Sequence, residues 1–91
     1  MSPDWSPFAV CPPGALPPPV RPVGTPEGVA DRLRSAAFAE LQAREAFRWA
    51  AESFSDAPEE LRAQWRALAL AEDRHLGWLL GRLAARGVDP A

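Results

Sequence analysis

Lysine is missing from this chain: all ten basic residues are Arg. We read that skew as the mark of a GC-rich coding sequence and give it no functional weight. Cysteine occurs once, at Cys11, which excludes an internal disulfide and any Cys-x-x-Cys motif. There is no run of about 18 apolar residues, so no membrane-spanning helix is expected. Excess charge of one sign is also lacking. A net charge of −2 offers no basic face for nucleic acid. The first residues lack the charged and apolar regions of a signal peptide, so the expected compartment is the cytoplasm, or a protein compartment reached from it. Beyond Pro26, proline is scarce: of eleven prolines, only Pro58 and Pro90 lie past that point.

What is present divides at that boundary. Residues 1–24 form a Pro-rich stretch in which helix and central strand are excluded, because proline fixes φ and removes a backbone donor. Cys11-Pro12-Pro13 and Leu16-Pro17-Pro18-Pro19 favour polyproline II. Two readings stay open for this segment. One is a disordered leader. The other is an extended arm along the helices or along a second subunit, for which Trp5, Phe8, Val10, Leu16 and Val20 supply apolar surface.

Residues 25–87 read as two long helices, and 88–91 as a short tail. Thr25 can cap the first helix, Pro26 suits its first turn and Glu27 complements its dipole. Good helix formers continue to about Phe54. Ser55-Asp56-Ala57-Pro58 then breaks the pattern, and Asp56 followed by Glu59 resembles a capping box. The second helix runs to about Arg86, with Gly87 as its stop. The connection of about two or three residues forces the helices antiparallel.

Steps of three and four give each helix one continuous face. Helix one carries Leu33, Ala37, Glu40, Arg44, Phe47, Ala51 and Phe54; helix two carries Leu61, Trp65, Leu68, Glu72, His75, Leu79 and Leu83. A second stripe, Phe38, Leu41, Glu45 and Trp49, has no partner within one hairpin, and Leu70, Trp78 and Leu80 lie off the main seam. So small a core is marginal alone. Self-association into a homodimer or a higher homo-oligomer follows.

Glu40, Glu72 and His75 stand inside the apolar seam, where charge is costly unless paired or bound to metal. In an antiparallel hairpin turning near residue 56, positions whose numbers add to about 112 lie level. Glu40 then faces Glu72, with His75 one turn further on the same face. Carboxylates can bridge and neutralise two metal ions, and a neutral imidazole suits Fe, Mn or Zn. A two-fold dimer would supply four carboxylates and two imidazoles, the donor set of di-iron and di-manganese helical bundles. Glu45 is the rival on helix one. It lies more than a turn from His75, and Arg62 or Arg66 can pair with it. Arg44 can balance Glu40, and Asp73 and Arg74 are expected to point outward.

Phe38-Ala39-Glu40-Leu41-Gln42-Ala43-Arg44 resembles the first-helix motif of rubrerythrin-like members of the ferritin superfamily. Leu70-Ala71-Glu72-Asp73-Arg74-His75-Leu76 resembles their second-helix Glu-x-x-His segment. The stretch from Pro17 to Pro90 is similar to part of a longer bacterial ferritin-like family. The resemblance implies an all-α hairpin that dimerises into a four-helix bundle, as in the encapsulated two-helix ferritins. It also implies two iron ions per dimer, with Glu40, Glu72 and His75 as ligands and catalytic groups. The rubredoxin module of rubrerythrins is absent, and no recognisable encapsulin-loading tail follows Gly87. The expected activity is ferroxidase-like oxidation of Fe(II) by O2 or peroxide. The alternatives are a di-iron oxygenase acting on an organic substrate, and a metal-free helical assembly protein.

Overall fold

The structure is a computed structural model and describes residues 4–91. The first three residues of the Pro-rich segment lie outside the described part. Two helices carry all the regular structure among the described residues: α1, Pro26–Ser53, and α2, Glu59–Ala85. They pack against each other as an antiparallel hairpin. Neither is long and apolar enough to cross a membrane.

α1 begins as its sequence dictates. Thr25 Oγ1 accepts from the Gly28 N–H at 3.0 Å, satisfying one of the free donors of the first turn. α2 begins differently from expectation. Its N-cap is Pro58, with no side-chain cap hydrogen bond, so Asp56 does not act as the cap. Instead, the Leu61 and Arg62 N–H groups donate to the Pro58 carbonyl. The connection spans residues 54–58, longer than expected, and Arg62 Nε reaches back to the Ala51 carbonyl near the end of α1. At the far end of α2, Gly87 adopts φ +68°. The Gly87 N–H donates to Ala84 O and the Val88 N–H to Leu83 O. That pair of bonds is a Schellman motif, which needs a residue at ease in the left-handed region.

The buried line between the helices is rotated from the expected seam. It consists of Ala30, Ala37, Leu41 and Ala51 facing Ala69, Leu76 and Leu83. Leu41, assigned by sequence to a second stripe, is at its centre, whereas Phe54, Leu61 and Leu68 are 45, 38 and 43% exposed. The physical reason is side-chain size: alanines at the contact line let two backbones approach, and bulkier groups flank it. Gly77 and Gly81 take no part in that approach: a Cβ built on either has nothing within 4 Å.

The two flanks of the hairpin differ. On one, Trp5 and Phe8 pack on Phe38 with ring centroids 5.6 and 5.4 Å apart, against the core of Ala37, Leu41 and Leu76. Aromatic pairs of this kind contribute about 0.5–1.5 kcal/mol beyond their buried area. The return of the chain into α1 is clamped by charge. Arg21 donates through Nε and Nη2 to Asp31, whose carboxylate also accepts the Arg21 N–H. The Arg21 guanidinium, together with that N–H, holds the Asp31 carboxyl well below the usual carboxylate range. A depressed carboxyl contributes its full stability above its unfolded pKa and loses it progressively as pH falls from there through the folded value, while the Arg21–Asp31 ion pair itself persists in mild acid.

Gly28 lies beneath this crossing. A Cβ there would stand 1.8 Å from Pro22 O and 2.8 Å from Arg21 O, both backbone atoms. Gly28→Ala should gain about 0.8–1 kcal/mol of helix propensity but lose more, because the clash displaces backbone. With overpacking costing about 1–3 kcal/mol, the net expectation is a lowered melting temperature. Thermal unfolding measures it, and an unchanged or raised midpoint would show that the crossing is not held in solution.

Candidate metal centre

The other flank carries the three seam residues singled out by sequence. Glu40 comes from the middle of α1, and Glu72 and His75 from one turn of α2. One ligand atom from each lies within 4.8 Å of the other two. His75 Nδ1 is 3.6 Å from Glu40 Oε2 and 3.7 Å from Glu72 Oε2. All three are half-buried, with side chains 29, 20 and 43% exposed for Glu40, Glu72 and His75. The three residues that the hairpin register sets level thus come together.

These distances are informative. They exceed hydrogen-bonding range, and among the described residues none of the three side chains has a hydrogen-bond partner. Ligand atoms about 2.1 Å from one ion stand roughly 3.0–3.4 Å from one another. The imidazole nitrogen stands within a few tenths of an ångström of that spacing from each carboxylate, and the cluster, up to 4.8 Å at its widest, has to close by roughly 1.4 Å or more there for all three donors to share one cation. Oxygen and imidazole donors suit Fe, Mn and Zn. The donor set fits the metal implied by the sequence motifs.

The neighbouring charges correct two expectations, for Arg44 and for Glu45, while Asp73 is exposed as expected. Arg44 does not balance Glu40. It pairs with Asp73 across the helices and with Glu45 beside it. Burial works against the Arg44 charge, but hydrogen bonds to Asp73 and Glu45 more than offset it, and its pKa lies above the ordinary guanidinium value. Asp73, although exposed, is engaged rather than free. Glu45 accepts from Arg44 and Arg48, not from Arg62 or Arg66, both of which turn to Glu59. Arg44, Arg48, Arg62 and Arg66 are thus paired with carboxylates other than Glu40 and Glu72.

One neighbour was not recognised from sequence. Trp78 lies one turn beyond His75, and its ring stacks on the imidazole with centroids 5.4 Å apart and planes inclined by 37°. The spacing of three residues on one helix was the available signal. Around the triad the flank is apolar and open, with Leu61, Leu68, Phe54 and Trp78 exposed and Leu33 and Phe47 half-buried. Two clefts lie elsewhere. One of about 320 Å³ is lined by Val29, Leu33, Arg82, Ala85 and Arg86. The other, about 880 Å³, runs between the Pro-rich segment and α1. Comparison with protein-family models, curated proteins and solved structures finds no match to this chain.

Proposed function

We propose that two copies of this hairpin associate through the open flank into a ferritin-like four-helix bundle. The bundle encloses a carboxylate-bridged pair of metal ions and oxidises Fe(II). The observation that carries the reading is the convergence of Glu40, Glu72 and His75 from two helices to within 4.8 Å, with no hydrogen bond among them. One chain offers two carboxylates and one imidazole. A two-fold dimer offers four and two, the set that ferritin-like di-metal bundles use. Leu61, Leu68 and Phe54 supply apolar surface on the same flank for the second copy.

Each residue has a role that follows from its chemistry. Glu40 and Glu72 bind cations and offset their charge, and either can span two ions because a carboxylate has two oxygens. His75 adds a neutral nitrogen donor through Nδ1, the atom that faces the carboxylates. Fe(II) is the substrate: two Fe(II) each give up one electron, and with two protons these reduce O2 to hydrogen peroxide. A metal-free assembly role would have Arg44 and its neighbours satisfy Glu72 and His75. Arg44 instead serves Asp73 and Glu45.

Metal content and oxidation without an organic substrate test the proposal together. Anaerobic loading followed by elemental analysis and native mass spectrometry should give two ions per dimer. Admitting air should then convert Fe(II) to Fe(III) with no other reductant present. One tightly held zinc per monomer, with no coupling between chains, would count against the bridged site.

A further inference from the structure

We infer that Trp78 is a positioning residue for the metal centre, fixing the His75 ring so that Nδ1 is presented to the cation. This inference rests on metal binding at Glu40, Glu72 and His75 and adds a group to it.

Metal-binding histidines are ordinarily aimed by a hydrogen bond from the ring nitrogen that does not bind the metal, to a carboxylate or a carbonyl, and losing such a partner costs about 10–100-fold in affinity. Here the usual device is missing. Nδ1 faces Glu40 and Glu72, and among the described residues no hydrogen bond engages Nε2. The imidazole is also 43% exposed, so packing within the hairpin does not enclose it. Left to itself, a half-exposed ring turns about a broad terminal torsion and offers either nitrogen. Among the described residues the aromatic contact on it is Trp78, at 5.4 Å with the planes tilted by 37°. The indole, packed beside the imidazole, hinders that rotation.

Trp78 is itself 68% exposed, which is costly for so large an apolar side chain. Trp49, 61% exposed at the other end of the hairpin, packs instead on Phe54, and the nearby Trp65 does likewise. Trp78 is therefore the tryptophan whose ring bears on the triad. The stack acts on the ligand rather than on the metal, so an aromatic ring of any kind at this position should preserve much of the effect.

Co(II) titration of the full-length protein, followed by calorimetry and by the visible ligand-field spectrum, tests this directly. Trp78→Ala should weaken binding by about tenfold or more and alter the Co(II) spectrum. Trp78→Phe should restore most of the affinity, and Trp49→Ala should leave both readouts unchanged. Sedimentation run alongside distinguishes positioning from assembly. Affinity in Trp78→Ala equal to that of the unsubstituted protein would overturn the role, as would a loss of affinity that merely tracked loss of dimer. If the unsubstituted protein bound no Co(II), Zn(II) or Fe(II), the metal centre itself would be refuted, before any role for Trp78 arose.

Discussion

His75→Ala and Glu72→Ala should each abolish the proposed metal binding, with a loss of affinity of at least about 100-fold. Loss of an outer partner alone costs about 10–100-fold, and each of these substitutions removes a direct donor twice in a two-fold dimer. Glu40→Ala should behave the same way, because it takes the α1 donor from the 4.8 Å cluster. Glu45→Ala is the control. Its carboxylate pairs with the half-buried Arg44 and the exposed Arg48, Arg44 keeps Asp73 when Glu45 is lost, and a solvent-exposed pair such as that with Arg48 is worth about 0–1 kcal/mol. It should retain metal and shift the melting midpoint slightly. Because all three triad residues are only half-buried, their replacement should leave the apo hairpin folded, which circular dichroism checks. Titration calorimetry with Mn(II) or Co(II) gives the affinities. Retention of metal by Glu40→Ala together with its loss in Glu45→Ala would move the site by more than a helical turn and sink the assignment.

The triad was legible because it depends on two robust signals: the spacing of three between Glu72 and His75, and a short turn that fixes which residues stand level. An error of a residue or two at a helix end changes neither much. The α2 start did shift, from an Asp56 cap to Pro58, yet Glu40 still faces Glu72 and His75. The exact contact line was less legible. Periodicity marks a broad apolar stripe, and large residues such as Phe54, Leu61 and Leu68 draw the eye to its middle. The helices close on Ala37, Ala51 and Leu83, which belong to that stripe, but also on Ala30, Leu41, Ala69 and Leu76, which do not. Seeing that requires knowing where Trp5 and Phe8 settle. They occupy the Phe38 flank and leave the Leu68 flank bare. Salt-bridge partners were the least legible. Arg44 has several carboxylates within reach, and its choice of Asp73 and Glu45 over Glu40 depends on rotamers that spacing does not encode.

Metal should stabilise the folded dimer and draw monomers into it. In the proposed assembly, four carboxylates meet on an apolar flank. Without a cation they repel one another, and desolvation adds to that cost. Binding of the ion removes both penalties, so it favours the assembled state over the separate hairpins. A ligand that binds only the native state at about 100 times its Kd contributes about 2.7 kcal/mol. For a domain this small, each kcal/mol moves the melting midpoint by about 4–8 °C, so saturating metal should raise it by roughly 10–20 °C. Sedimentation should show the monomer–dimer equilibrium shifting toward dimer under the same conditions. Acid should reverse both effects, since protons compete with the ion for carboxylate and imidazole. The apolar surface of Leu61, Leu68 and Phe54 remains in the apo protein, so some dimer should persist without metal, and the response should be graded. Leu61→Arg separates the two contributions. It places a charge on the open flank about three turns from Glu72, beyond the reach of an i,i+4 pair, so it should weaken the dimer and lower metal affinity together, with the triad intact. Identical assembly and melting with and without metal would mean that no ion binds at the junction of two hairpins.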